Sequence, residues 1–281
     1  MPLSPTDDLV RPARDAGTAV GAFNVVQLEH AEAIVAGAEA AGLPVILQIS
    51  ENTARYHGGL APVGRASLAV AEAARVPVAV HLDHAESTEL VREAVSLGFS
   101  SVMFDGAKLP YAQNTATTRE VADHCHRHGV WIEAELGEVG GKDGAHAPGV
   151  RTDPAEARDF VAATRVDALA VAVGSSHAMH TRDAALDFPL IEQLRGAVDV
   201  PLVLHGSSGV ADADLAEAVA RGMAKINVST HLNKAFTGAV RAHLDAHPDV
   251  SDPRKYLGPA REAVAAEVTH LLRLLARQDA G

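Results

Sequence analysis

The clearest indication of the fold lies in residues 77–105, PVAVHLDHAESTELVREAVSLGFSSVMFD. This segment begins with a short apolar run over 77–82, continues with a helix-period segment over 87–97 and ends in a second apolar run. Ser87 is a favourable helix N-cap, and Gly98 is the residue type that commonly follows a helix. A buried strand, a helix and another buried strand in this order are typical of a βαβ unit with parallel strands.

The same alternation repeats along the chain. Apolar runs rich in Val, Ile and Ala predict strands at residues 18–24, 44–49, 77–82, 101–105, 130–136, 168–173, 201–205 and 225–228. Helices are predicted at residues 28–41, 61–75, 87–97, 112–128, 154–165, 187–196, 212–221 and 231–246. Several strand segments are apolar on both faces, as strands between an inner core and an outer layer of helices must be. The pattern therefore favours an α/β fold, the closed (β/α)8 TIM barrel, over an open sheet.

Three further features complete this organisation. Residues 259–277 place apolar side chains at helical spacing and predict an additional C-terminal helix. Two connections are longer than usual, residues 137–152 after strand five and 174–186 after strand six. The glycines of the first connection predict a mobile lid. We expect residues 1–281 to form a single catalytic domain.

The composition restricts the functional classes. Of 281 residues, 47% are hydrophobic and 21% are charged, which is typical of a globular chain. The formal net charge of −12 argues against nucleic acid or an anionic membrane as a partner. The sequence shows neither an apolar run of membrane-spanning length nor an apolar secretory segment, so we expect a cytoplasmic protein. Cys125 is the only cysteine, and a metal site would therefore use histidines and carboxylates.

Polar side chains gather where the predicted strands end, which is where barrels of this kind place their active sites. These residues are His81, Asp83, His84, Glu133, Glu135, His177, His205 and Asn227. The three imidazoles of His84, His177 and His205 suit Zn²⁺, and an open fourth position would make the ion catalytic. The sequence thus predicts one zinc ion at this rim, with His81 as a supporting residue.

Two short loops predict a phosphate site. Residues 206–209 (GSSG) follow strand seven, and residues 227–230 (NVST) follow strand eight. Each loop leads towards a helix N-terminus, where backbone N–H groups and the helix dipole favour an anion. Many barrels bind phosphate at this position, although ordinary helix capping is an alternative explanation.

These motifs resemble those of the class II, zinc-dependent ketose-bisphosphate aldolases, which include fructose- and tagatose-1,6-bisphosphate aldolases. The similarity covers essentially the whole chain. It is carried by residues 22–24 (AFN), 81–84 (HLDH), 133–137 (EAELG), 140–141 (GG), 174–177 (GSSH), 205–209 (HGSSG) and 225–228 (KINV). The resemblance implies a lyase that reversibly cleaves a ketose 1,6-bisphosphate to dihydroxyacetone phosphate and an aldehyde such as glyceraldehyde 3-phosphate.

The resemblance also implies roles for the rim residues. His84, His177 and His205 would hold the zinc ion. Glu135 would ligate the ion when it shifts, or support the ligands. Asp83 matches the general acid/base, which takes the proton from the C4 hydroxyl during cleavage.

Two more catalytic residues are implied in the same way. Asn227 matches the asparagine that stabilises the enediolate as a neutral donor. Asp143, in the lid, would move the C3 proton.

Substrate-binding residues are implied at both ends of the sugar. The cradle of the C1 phosphate is matched by Gly206, Ser208, Ser229 and Thr230. The distal end is matched by Asn24, Ser50 and Arg254. Arg254 would grip a second phosphate, within its own subunit or in a neighbouring one. The resemblance further implies Na⁺ or K⁺ near the carbonyl groups of Ser176, Ala178 and Gly206, and a homodimer or homotetramer.

Three positions depart from the family pattern. Lys142 and Asp143 stand where relatives usually carry a lid glutamate, and the lid is shortened. Ala178 replaces the glycine that usually follows the metal-binding histidine. His231 stands where an acidic residue is common. These changes leave the metal site and Asp83 intact, so a ketose 1-phosphate or a modified sugar phosphate stays open as the substrate.

Three other functions also stay open. A Schiff-base aldolase needs a lysine at the C-terminal end of a central strand, whereas Lys225 is expected at the start of strand eight. A metallohydrolase would usually have paired histidines on strand one, which instead ends in residues 22–24 (AFN). A non-catalytic relative would bind metal and sugar phosphate without cleaving it.

Overall fold

The protein is a closed barrel of parallel strands. The computed structural model describes residues 3–136, 151–176, 182 and 184–278. The strands are β1 (Val20–Asn24), β2 (Val45–Ser50), β3 (Val78–Ala85), β4 (Ser101–Phe104), β5 (Trp131–Glu135), β6 (Ala168–Ala170), β7 (Leu202–Leu204) and β8 (Met223–Val228). They pair in chain order, and β8 pairs with β1 to close the ring. The predicted (β/α)8 TIM barrel is confirmed.

Helices surround the barrel. In the described part of the chain they are α1 (Asp7–Asp15), α2 (Leu28–Ala41), α3 (Glu51–Tyr56), α4 (Ala61–Ala73), α5 (Thr88–Leu97), α6 (Tyr111–Arg127), α7 (Pro154–Thr164), α8 (Phe188–Ala197), α9 (Asp212–Arg221), α10 (Thr230–Ala246) and α11 (Pro253–Leu275). The side chains of Ser87 and Asp153 cap α5 and α7, and Gly98 ends α5 in a left-handed conformation. Each predicted outer helix is present, whereas α1 and α3 were not predicted. No helix in these ranges combines the length and apolar character needed to cross a bilayer.

Helix α1 closes the N-terminal end of the barrel. Leu9 and Val10 pack into the interior cluster formed by alternate strand residues. The hydroxyl of Thr6 donates to the Oγ of Ser101 at the start of β4, over 2.6 Å. Sequence periodicity missed α1 because it contains Pro12 and buries only two apolar side chains.

Helix α11 packs on the outside of the same barrel, against α2 and α10. It begins at Pro253, six residues before the predicted start, because the Asp252 side chain caps it through the N–H of Arg254. At the crossing of α2 and α11, a Cβ added to Gly37 would lie 2.6 Å from the carbonyl oxygen of Ala265. The close approach of the two helix backbones therefore requires glycine at position 37.

The strand pleat directs the polar residues inwards. In β3 the side chains of Val78, Val80 and Leu82 pack in the outer core, whereas Ala79 packs in the interior cluster. His81 and Asp83 therefore share the interior face. In β8 the register against β7 shifts at Ala224, and Lys225 and Asn227 then lie inside the barrel.

Candidate metal and catalytic site

The end of β3 has an unusual backbone. The pairing of β3 with β4 is irregular between Leu82 and Ala85, and His84 adopts a positive φ of 51°. Such a conformation is uncommon for a residue with a side chain, and it is found at functional sites. It places the imidazole of His84 over the rim, next to the buried carboxylate of Asp83.

Two imidazoles from distant strands meet at this rim. The Nε2 of His84 lies 2.9 Å from the Nδ1 of His205, and the ring centroids are 4.6 Å apart. The opposite nitrogens face carboxylates: His84 Nδ1 lies 2.8 Å from Asp105 Oδ2, and His205 Nε2 lies 2.8 Å from Glu133 Oε1. If those nitrogens carry the protons, both inner nitrogens present lone pairs to the same point. Such an arrangement suits a shared divalent cation.

The protonation state of His205 also suits a ligand. Burial and the neighbouring His84 lower its pKa to about 4, so the ring is neutral near neutral pH. Neutral imidazole is the form that binds metals. Asp83, His84 and His205 together can offer one ligand atom each to a common point.

A second possible donor group lies beside the first. Glu135 Oε2 is 3.8 Å from His84 Nδ1, and both can share an ion with Asp105. The amide of Asn114 donates to the backbone carbonyl of Glu135 over 3.4 Å and so helps to fix the end of β5. His84, Asp105 and Glu135 thus form a second candidate metal-binding group next to the first.

Asp83 lies between two side-chain amides. Asn24 Nδ2 donates to its Oδ2 over 3.4 Å, and Asn227 Nδ2 donates to its Oδ1 over 3.3 Å. The amide of Gln48 orients Asn24 by donating to its Oδ1 over 2.7 Å. Burial alone would raise the pKa of Asp83, but the nearby His84 and His205 more than offset it and hold this pKa below its usual range. Asp83 is therefore a carboxylate at neutral pH.

A buried lysine lies beneath the site. Lys225 is fully buried, and its Nζ is 2.8 Å from both Glu133 Oε2 and Asn227 Oδ1. Burial would raise the pKa of Glu133, but Lys225 and His205 lower it to about 2. Lys225 was expected at the start of strand eight, away from the chemistry. It is instead the third residue of β8, and its side chain reaches the site from inside the barrel.

The predicted phosphate loops meet at one hydroxyl. The Oγ of Ser208 accepts from the backbone N–H groups of Ser229 and His231, over 3.4 and 3.2 Å. Thr230 is the first residue of α10. Gly206 has a φ of 67°, and a Cβ there would lie 2.6 Å from the carbonyl oxygen of Ser176. The two loops are thus joined at the Ser208 hydroxyl, and the connection after β6 packs closely against Gly206.

The distal residues have different surroundings. The Oγ of Ser50 caps α3 by accepting from the N–H of Thr53, over 3.2 Å. Arg254 is bonded to Asp252 through several nitrogens, with its side chain 89% exposed. Its guanidinium is therefore exposed to solvent.

The structure brings together Asp83, His84, Glu135, His205 and Asn227. His177, Asp143, Lys142 and Ala178 lie outside the described residues. Sequence reasoning named Glu133 among the polar rim residues but gave it no role, and it did not select Asp105 or Lys225. Two signals could have found them: Asp105 follows directly on β4, and Lys225 precedes Asn227 by two residues on the same face.

A closed (β/α)8 barrel of this kind is the fold of a class of aldolases. The family model for class II fructose-bisphosphate aldolases matches residues 4–280. The chain therefore belongs to the class II fructose-bisphosphate aldolase family and is a lyase.

Individual relatives agree with this assignment. The chain is 43% identical over 277 residues to the probable fructose-bisphosphate aldolase of Bacillus subtilis, covering 97% of both proteins. It is 41% identical over 272 residues to the fructose-bisphosphate aldolase of Staphylococcus aureus, covering 95% of both. Among solved structures, the YdjI aldolase of Escherichia coli matches with a TM-score of 0.86 and 32% identity, over 97% of each chain.

Proposed function

We propose that this protein reversibly cleaves fructose 1,6-bisphosphate to dihydroxyacetone phosphate and glyceraldehyde 3-phosphate, with one Zn²⁺ ion per chain. The observation that carries the proposal is the position of Asp83, an ionised carboxylate between two amides, 4.0 Å from the Nε2 of His84. The names of the relatives favour the fructose substrate over its tagatose isomer.

His84 and His205 would hold the ion through Nε2 and Nδ1, and His177 would supply a third imidazole. The chemistry of the two described imidazoles fits zinc, because carboxylates face their opposite nitrogens. When bound, Zn²⁺ would polarise the ketone carbonyl and stabilise the negative charge that develops as C3–C4 breaks. Glu135 would contact the ion if it shifts.

Asp83 would take the proton of the C4 hydroxyl. Its low pKa keeps it ionised before the reaction, and the amides of Asn24 and Asn227 each donate to one of its oxygens and so orient the carboxylate. In the condensation direction it would return the proton to the aldehyde oxygen. Asn227 would donate to the developing charge without adding a second cation. Asp143 would exchange the C3 proton.

The two ends of the substrate would be bound separately. Gly206, Ser208, Ser229 and Thr230 would cradle the C1 phosphate, supported by the junction at the Ser208 hydroxyl. A Na⁺ or K⁺ ion at the backbone carbonyls near Ser176 would help to balance its charge.

The distal half would be bound by Asn24, Ser50 and Arg254. The exposure of Arg254 supports a contribution to the site of a neighbouring subunit, in a homodimer or homotetramer. We further propose that residues 1–281 act as one catalytic domain in the cytoplasm.

A coupled assay tests this function. Purified protein is supplied with fructose and tagatose 1,6-bisphosphates and with several ketose 1-phosphates, before and after EDTA treatment and zinc addition. We expect cleavage of fructose 1,6-bisphosphate that EDTA removes and zinc restores. Preference for another ketose phosphate would assign that substrate instead, and binding without any cleavage would indicate a non-catalytic relative.

A further inference from the structure

Lys225 has no role in the reaction proposed above, yet it joins the two halves of the site. Its Nζ donates to Asn227 Oδ1 and to Glu133 Oε2, both over 2.8 Å. Asn227 contacts Asp83, and Glu133 contacts His205. We propose that Lys225 is a positioning residue, which fixes both the amide of Asn227 and the carboxylate that orients His205. This inference rests on the proposed metal site and reaction.

The first effect concerns which end of the Asn227 amide, the oxygen or the NH₂ group, is directed at Asp83. Asn227 can present either its oxygen or its NH₂ group to Asp83, and only the NH₂ group is attractive to a carboxylate. Lys225 has donors and no acceptor, so it holds the oxygen on its own side. The NH₂ group is then directed at Asp83 and at the place where the substrate develops charge. Without Lys225 the amide is free to turn, and its oxygen would repel Asp83.

The second effect concerns the tautomer of His205. Glu133 is fully buried, and its two oxygens lie 2.8 Å from Lys225 Nζ and from His205 Nε2, with the amide nitrogen of Asn227 3.2 Å from the same Nε2. A carboxylate fixed in this way keeps the proton on Nε2 and leaves Nδ1 for the metal. Loss of Lys225 would release one oxygen and loosen the other contact.

The test uses Lys225→Met, which keeps a similar length of chain and removes all donors. Three properties are measured: zinc affinity by competition with a chelator, kcat and KM, and the His205 tautomer from long-range ¹H–¹⁵N correlations in the metal-free protein. We expect zinc affinity and kcat each to fall by at least about tenfold, KM to change by less than about threefold, and His205 to lose its single Nε2–H form.

Double-mutant cycles separate the two effects. When Lys225→Met is added to Asn227→Ala, kcat should fall by less than about twofold relative to Asn227→Ala alone. In a Glu133→Gln background, Lys225→Met should lower zinc affinity by less than about twofold further. Additive losses in either cycle overturn the corresponding half of the proposal, and a Lys225→Met protein with unchanged affinity and kcat overturns all of it.

Two controls keep the test decisive. Lys108→Met removes an exposed lysine that lies 3.0 Å from Glu86, and it should leave zinc affinity and kcat unchanged. If Lys225→Met does not fold because Glu133 is left buried without its cation, Lys225→Met/Glu133→Gln removes both charges together. That variant should keep kcat low, and full wild-type kcat in it would overturn the role in orienting Asn227. If the wild type cleaves no sugar phosphate, the proposed function fails, while zinc affinity and the His205 tautomer still test Lys225.

Discussion

The Nε2 of His84 lies 2.9 Å from the Nδ1 of His205, although 121 positions separate them in the chain. His84 stands at the irregular end of β3, and His205 follows β7 directly. The two strands lie on different sides of the barrel, so the contact exists only because the sheet closes.

Replacement of His205 and of Asp83 should have different effects. His205→Ala should lose both zinc and cleavage, because it removes one of the nitrogens that would hold the ion. Asp83→Ala should keep zinc and lower kcat by about 10³-fold, a typical effect of losing a general acid/base. Zinc content per chain and kcat are measured on both proteins. An Asp83→Ala enzyme with normal kcat would show that another group carries the proton.

The pH dependence of stability should reveal the buried His81. Burial and Lys225 lower its pKa to about 3, whereas an unfolded histidine titrates near 6.5. Between these values only the unfolded state takes up the proton, so this residue lowers the free energy of unfolding as pH falls from about 6.5 towards 3.

In metal-free protein, His81→Gln should therefore reduce the loss of stability between pH 7 and pH 5 by about 2 kcal/mol. Urea unfolding at both pH values measures the difference. Parallel stability curves for the two proteins would mean that His81 is already protonated in the folded state or exposed to water.

Two glycine-to-alanine changes in helices should have opposite effects. Gly37→Ala forces a Cβ to within 2.6 Å of a carbonyl oxygen in α11 and should lower the free energy of unfolding by about 1–3 kcal/mol. Gly238→Ala, in α10, meets nothing within 4 Å and should raise it by about 0.5–1 kcal/mol. Denaturant unfolding gives both values. Equal effects would show that α2 and α11 are not in close contact in solution.

The single cysteine should be unreactive in the folded protein. Cys125 is buried, and burial raises the pKa of its thiol to about 12. Since the thiolate is the reactive form, a disulfide reagent at pH 8 should modify less than about a tenth of the native protein in an hour and all of it in denaturant. Rapid modification under native conditions would place the thiol at the surface.

Replacement of Arg254 should affect KM for a ketose bisphosphate and KM for a ketose 1-phosphate differently. If it grips the distal phosphate, Arg254→Ala should raise KM for the bisphosphate by at least about tenfold and leave KM for a ketose 1-phosphate unchanged. Its side chain is largely exposed, so folding should not change. Steady-state kinetics with both substrates test this, and an equal rise in the two KM values would refute the assignment.

Much of this architecture could be predicted because it depends on local patterns. The period of the apolar residues revealed the strands, and their order in the chain revealed the barrel. The pleat then placed Asp83 and Asn227 on the inner face, near the strand ends. Helix α1 was missed because its burial depends on the open end of the barrel rather than on a repeating apolar pattern.

The sequence by itself thus determined the barrel, the rim that carries the chemistry and the residue types available there, since these follow from periodicity along one strand or helix. Only the tertiary structure decided which nitrogen of each histidine faces its partner, that Asp105 supports His84, and that Lys225 joins Glu133 to Asn227. These contacts depend on the closure of the sheet, on the register shift in β8 and on how far each side chain reaches. None of those distances is encoded in the spacing of residues along the chain.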